Sequence, residues 1–207
     1  MEGVMKQPSG SAADEHKPEP GPKRPAPGEL ELVRAFLNTI DIETGEEKLS
    51  DPAALRVWLA ERDLLGSNER AAPGDLRKAI ELREALRAMV GHNNGDPLDA
   101  GATGVLDGAA ARAKLGPRFA ADGPPSVEPQ ASGVDGALGR VLAIVFASMA
   151  EGSWERLKIC RADTCRWAFY DWTKNHSGSW CTMKICGNRE KVRSYRSRAR
   201  SEARSSR

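Results

Sequence analysis

The chain has 207 residues, enough for one ordinary domain and a small one, and its 31 Lys/Arg nearly balance 29 Asp/Glu. It reads as containing no apolar run long enough to span a membrane, and its opening, MEGVMKQPSGSAADEHKPEP, lacks the apolar core of a secretory signal. The expectation is a cytoplasmic protein with no membrane partner. The small net charge conceals a split: residues 156–207 hold 14 Lys/Arg and 4 Asp/Glu, a net of +10, whereas residues 1–155 hold 17 and 25, a net of −8. That pattern suggests an acidic body carrying a basic contact module.

Residues 1–28 contain six prolines with Gly, Ser and charges. They offer too little apolar surface to offset the entropy of ordering, which predicts a disordered tail. From Glu29 the pattern becomes helical, with Leu30, Leu32, Val33, Phe36, Leu37 and Ile40 at three- and four-residue steps. Asp51-Pro52 predicts a helix start, an Asp cap followed by Pro at the first helical position, with Leu55, Trp58, Leu59 and Leu64 buried and Gly66 as the stop. Pro73-Gly74-Asp75 opens a third helix, whose apolar side carries Leu76, Ile80, Leu82, Leu86, Met89 and Val90. Gly91 and the Asn93-Asn94-Gly95 cluster end it. An Ala- and Gly-rich helix is expected over about 98–115. The fragments 118–120 and 126–128 then form either a short hairpin or a loop. Leu138, Val141, Leu142, Val145, Phe146 and Met149 predict a buried central helix.

All four cysteines, Cys160, Cys165, Cys181 and Cys186, lie within 27 residues. Their spacing is C-x4-C, fifteen residues, C-x4-C. Two close pairs form two knuckles that complete a tetrahedron, and four thiolates suit a Zn²⁺ ion with no open coordination position. The expectation is one structural zinc, with two disulfides of an exported protein as the bland alternative. Seven of eleven aromatics fall here or at its edge: Trp154, Trp167, Phe169, Tyr170, Trp172, Trp180 and Tyr195. They read as a mini-core, and residues 166–172 alternate like a strand.

After Cys186, Asn188 is a candidate helix cap. In that helix Val192, Tyr195 and Ala199 are expected to face the knuckles. Arg189, Arg193, Arg196 and Arg200 form a basic side flanked by Lys191 and Arg198. These six are the candidate DNA contacts; the bland alternative is a solvated charged helix. Arg166, Lys184 and Arg189 are candidates to offset the negative charge of a zinc–thiolate centre.

At these residues the sequence resembles a known family. Cys186-Gly187-Asn188-Arg189, preceded by Trp180-Cys181-Thr182-Met183, resembles the CGNR zinc finger, as do Phe169-Tyr170-Asp171, the Cys160/Cys165 pair and the basic run from Glu190. That finger follows a helical domain called ABATE. Phe36-Leu37-Asn38-Thr39 resembles the opening motif of that domain, and residues 82–88, LREALRA, its central helix. Two departures stand out: Ser177-Gly178-Ser179 where members carry arginines, and Tyr195 where a histidine is common. The resemblance implies a stress-induced transcriptional regulator.

The fold class expected is mainly α: a helical N-terminal domain, with or without the short hairpin, followed by a small four-cysteine zinc-binding α+β module. The division is a tail over 1–28, an ABATE-like domain over 29–153, a CGNR-type finger over 154–200 and a basic disordered tail over 201–207. The function expected is a zinc-dependent DNA-binding regulator, with a protein- or RNA-binding adaptor as the alternative. Homodimerisation and an unidentified small-molecule ligand in the helical domain, near Asn38, Thr39, Asp41 and Arg83, are further expectations. A buried Arg83 paired with a helix-terminal carboxylate is the bland reading of that cluster. The histidines are scattered at 16, 92 and 176, and no nucleophile–base pair or Walker motif stands out, so no enzyme is expected.

Overall fold

The computed structural model describes residues 24–121 and 123–205. Most of the expected tail over 1–28 therefore lies outside the described residues. Its last part does not read as a tail. Ala26 is buried and its N–H donates to Glu31 Oε2 at 2.8 Å. The Pro25 carbonyl accepts from Trp172 Nε1 at 3.2 Å. Proline content hid a segment that docks by a small side chain and backbone groups.

The first helix, α1 (Leu30–Leu37), buries Leu30, Val33, Phe36 and Leu37. It stops three residues short of Ile40, because Asn38 turns its amide away to a distant strand and the Thr39 hydroxyl folds back on Phe36 O at 2.9 Å. Ile40 instead lies in β1 (Ile40–Asp41), antiparallel to β2 (Glu46–Glu47). This small hairpin was not expected. Its turn is shaped by Asp41 Oδ1, which accepts from the N–H groups of Glu43 and Thr44, and by Gly45 at φ 76°.

In α2 (Pro52–Ala60) the Asp51 carboxylate accepts from Ala54 N–H at 2.8 Å, the cap that the sequence predicts. Leu55, Trp58 and Leu59 are buried. The long α3 (Pro73–His92) starts with Asp75 accepting from Ala72 N–H at 2.9 Å. It buries Leu82, Leu86 and Val90. Then come α4 (Ala100–Ala113), β3 (Gly116–Arg118) and β4 (Ser126–Glu128). The hairpin is formed, but Gly116 to Arg118 pair with Glu128 to Ser126, two residues away from the expected pairing. The base sets that register, since Gln130 and Ala131 both donate to Ala113 O at 3.1 Å.

The central α5 (Gly133–Ala150) buries Leu138, Val141, Leu142 and Val145. Phe146 and Met149, expected in the same stripe, are 58% and 39% exposed. The buried row runs instead through Ile144, Val145 and Ser148, whose hydroxyl donates to Val145 O at 2.7 Å. At 100° per residue, position 146 lies far round from that row, whereas Met149 shares the side of Leu138 and Leu142 but sits in the last turn of the helix. By length and composition these 18 residues meet the minimum for a membrane span, correcting the expectation that no run does. The physical reason for their apolar character is burial, since 61% of the helix lies inside the fold. Packing against α4 is tight: a Cβ on Gly139 would sit 2.5 Å from Ala113 Cβ.

A single turn of 3₁₀ helix (Trp154–Arg156) leads into β5 (Leu157–Ile159), antiparallel to β6 (Ala168–Tyr170). Trp154, Leu157, Ile159, Ala168 and Tyr170 belong to the same apolar cluster as the buried faces of α1, α2, α3 and α5. One core therefore runs across residue 153. A π turn (Met183–Gly187) passes directly into α6 (Asn188–Ser205). This helix extends into the stretch from 201 that was expected to be disordered. After Gly187 the chain has no Gly or Pro to stop it, and Ala199, Glu202 and Ala203 are good helix formers. Residues 206 and 207 lie outside the described residues.

Candidate metal centre and its basic helix

Cys160 follows β5 directly, and its N–H donates to Trp167 O at 2.9 Å. The chain then turns back through Cys165 and Arg166, whose N–H groups both donate to Ala162 O, with Arg166 at φ 49°. Of the second pair, Cys181 precedes the π turn and Cys186 lies within it, and the turn is closed by Gly187 N–H donating to Thr182 O at 3.1 Å. A Cβ on Gly187 would lie 2.7 Å from Met183 Sδ and 3.3 Å from Trp180 Cδ1, so a larger residue here requires the Met183 side chain to move.

These two turns bring all four sulfurs within 4.8 Å of one another. Cys181 Sγ lies 3.6 Å from both Cys165 Sγ and Cys186 Sγ. Sulfurs at about 2.3 Å from a tetrahedral Zn²⁺ sit about 3.8 Å apart, whereas a disulfide needs about 2.05 Å. The spacing fits a shared ion and excludes a disulfide in this arrangement. Cys160 and Cys186 are buried, Cys165 and Cys181 half-buried, and Trp167, Trp180 and Ile185 pack around them. The acid–base chemistry of the donors agrees. Hydrogen bonds from Cys165 and Cys181 hold the Cys160 thiol at about 2. Sharing a hydrogen bond with Cys160 pushes Cys165 up, and burial pushes Cys186 up to about 12. The Cys160 thiolate is readily formed, Cys165 and Cys186 resist joining it, and a divalent cation removes that conflict. Such a site holds one structural zinc through Cys160, Cys165, Cys181 and Cys186.

Asp171 organises the loop between the cysteine pairs. It is 2% exposed and accepts from Lys158 Nζ at 3.0 Å, Thr173 N–H at 3.0 Å, the Thr173 hydroxyl at 2.7 Å and Gly178 N–H at 2.7 Å. Burial pushes its carboxyl up, but the bonds from Thr173, Lys158 and Gly178 together outweigh burial and hold it at about 2. Lys158 also donates to the His176 carbonyl. A Cβ on Gly178 would meet the Asp171 carboxylate at 2.7–2.9 Å, which gives the Ser177-Gly178-Ser179 departure a structural reason.

The basic helix departs from expectation in three ways. Asn188 does not cap by accepting; its amide donates to Lys184 O at 3.2 Å, because the π turn already supplies the helix start. Val192, Tyr195 and Ala199 do not face the knuckles and are exposed, Tyr195 by 70%. Lys191 and Arg198 do not flank the arginine row. At 3.6 residues per turn they fall on the far side of α6 from Arg189, Arg193 and Arg196. Arg200 occupies a backbone position in the arginine row. Acids of the body and the knuckle reach this row: Arg189 lies 3.1 Å from Glu43 Oε1, and Arg193 lies 4.0 Å from Asp163 Oδ2. Arg166 is taken by Asp96 at 3.6 Å.

Residues 30–152 match the ABATE family, described as a putative stress-induced transcription regulator. The chain belongs to that family. The CGNR zinc finger matches residues 156–199 of this ABATE protein. No curated protein matches the chain.

In the ABATE body, sequence reasoning missed how the finger is attached. Asn38 Nδ2 donates to Ala168 O at 2.9 Å and Asn38 Oδ1 accepts from Ala168 N–H at 2.8 Å. Asn94 Nδ2 donates to Ile159 O at 2.6 Å and its Oδ1 accepts from Ile159 N–H at 3.0 Å. Asn93 Nδ2 donates to the carbonyls of Trp154 and Leu157, both at 2.9 Å. Arg87 donates to Arg166 O at 3.1 Å and to Leu37 O, and Glu84 Oε2 accepts from it at 3.0 Å. The only sequence signal was an unusual Asn pair after a helix, which read as a stop. Arg83, 2% exposed, donates to Thr39 Oγ1 at 2.9 Å, Glu47 Oε1 at 2.8 Å and Glu84 Oε1 at 2.8 Å. Arg83 is the buried ion pair of the bland reading, but its carboxylates are not helix-terminal, because the β1–β2 hairpin and the middle of α3 reach it first. The partners are a strand carboxylate and its own neighbour.

Proposed function

We propose that the chain is a zinc-dependent DNA-binding transcriptional regulator. The zinc centre fixes α6, α6 contacts duplex DNA, and the helical body senses a signal or dimerises. One observation carries the reading. Between 189 and 199, α6 presents five Lys/Arg against the single acid Glu190, and apart from half-buried Glu190 every side chain in that stretch is exposed. A helix that buries nothing gains nothing from packing and is explained by what it binds. The family description as a transcription regulator supports the same reading.

No catalytic step belongs to this proposal, and a cytoplasmic location does. Asn38, Thr39, Asp41 and Arg83 are engaged in internal bonds, so a small ligand of the body would have to bind elsewhere or displace them. The test is a salt titration of binding to duplex DNA. Three to six neutralised phosphates give a slope of about −3 to −5 in log affinity against log salt; a flat response removes the reading. A zinc-scaffolded RNA- or protein-binding adaptor is the second reading. The 70% exposed Tyr195 ring favours it, as a surface on which an unpaired base can stack. Competition among duplex DNA, structured RNA and an acidic protein separates the two.

A further inference from the structure

We propose that duplex DNA docks on the Arg189–Arg193–Arg196 face of α6 alone, and that the body restrains this face through Glu43, which a phosphate must displace from Arg189. The inference rests on the DNA-binding reading and adds to it which side of the helix is used and what opposes it.

Two observations carry it. The cations of α6 are not equivalent, because Arg189, Arg193 and Arg196 share one side while Lys191 and Arg198 lie opposite. A duplex approached by one side leaves the other directed at solvent. Val192, Ser197 and Ser201, short side chains, lie beside these arginines and leave a duplex room to approach the guanidinium groups. Among the described residues, the acids outside α6 that come within ion-pair distance of it, Glu43 of the body and Asp163 of the knuckle, both meet arginines of that side. Glu43 projects from the β1–β2 turn, three-quarters buried, to 3.1 Å from Arg189 Nη1. Asp163 stands 4.0 Å from Arg193, but both of those side chains are at least 70% exposed, so this pair holds more weakly. A carboxylate and a phosphate oxygen ask the same bidentate geometry of a guanidinium, and they compete for it.

Glu43→Gln keeps the shape and removes the competing charge. Binding to a fixed duplex is measured at two salt concentrations for wild type, E43Q, E46Q, R189A, E43Q/R189A, R193A/R196A and K191A/R198A, with zinc content measured for each. E46Q removes a charge from the same hairpin without touching Arg189, so it reports the long-range field alone. The expected result is that E43Q binds about two- to fivefold tighter than wild type, the range of one partly exposed ion pair. E46Q gains less, and the gain from E43Q vanishes when Arg189 is also Ala. R193A/R196A should lose far more affinity than K191A/R198A. Equal gains in E43Q and E46Q, a gain that survives R189A, or equal losses in the two double variants overturn the inference while leaving DNA binding in place. No duplex binding by any protein, wild type included, overturns the DNA reading and this inference with it.

Discussion

Asn38 and Asn94 hold opposite edges of one rung of the β5–β6 ladder. Ile159 and Ala168 face each other in register. Each turns its N–H and C=O outward to a side-chain amide that supplies both a donor and an acceptor, Asn94 for Ile159 and Asn38 for Ala168. Two residues from different parts of the body thus stand in for two missing strands. A two-stranded hairpin is marginal alone, and here its open edges are satisfied by the domain that precedes it.

Replacing either asparagine by Ala leaves a strand N–H and C=O without partners. We expect Asn38→Ala to cost about 2–4 kcal/mol and Asn94→Ala about 1–2 kcal/mol by urea unfolding. The order follows from burial, since Asn38 is 5% exposed and Asn94 is half-buried, where water can replace the lost bonds. Equal, negligible losses would show that these bonds add nothing.

Zinc removal should act on only part of the finger. Because Leu157, Ile159, Ala168 and Tyr170 sit in the body core, we expect chelation, Cys181→Ser or Cys186→Ser to abolish amide-exchange protection over 177–199 and to spare β5 and β6. Metal analysis should give one zinc per wild-type chain and a sharp loss in both variants. Protection lost equally over 157–170 would contradict the shared core.

Asp171→Asn should destabilise the protein, because it strands Lys158 in a site where that ammonium is only 9% exposed. The loss is expected at on the order of 2–4 kcal/mol near pH 7. The folded carboxyl titrates at about 2, below its ordinary value of 3.8. Its contribution is therefore complete above about pH 4 and disappears as pH falls toward 2. The stability gap between wild type and D171N should close over that window. A gap that persists below it would assign the effect to packing.

Gly178→Ala should cost about 1–3 kcal/mol, since the added methyl falls on a carboxylate that four hydrogen bonds hold in place. Combined with D171N the two losses should add to less than their sum, because they disturb one contact. Thermal unfolding of the single and double variants measures this.

Much of this was written locally. The four cysteines, the Asp51-Pro52 cap and the three- and four-residue spacing of Leu82, Leu86 and Val90 each act within a few residues, so the sequence shows them. The rest depended on distant partners. Nothing near Asn38 announces Ala168, and α1 ends early for a strand 130 residues away. Phe146 and Met149 look like core because hydrophobicity carries no information on which side of α5 meets a neighbour. The knuckle-facing side expected of α6 failed for the converse reason: the zinc turns are packed by Trp167, Trp180 and Ile185, not by Val192 or Tyr195. Tyr170 and Trp154, expected in a mini-core, joined the large one.

The unbroken core beneath residue 153 changes what regulation can mean for this molecule. A finger hung on a flexible tether could be swung toward or away from its target. This one shares hydrophobic ballast with the domain behind it, and α3 runs as a keel from the Arg83 cluster to the Asn94 clamp. On the proposed function, a signal received by the body would meet no joint at residue 153 to bend. It would work by re-pairing charges at the helix surface, or by changing how whole copies of the protein meet.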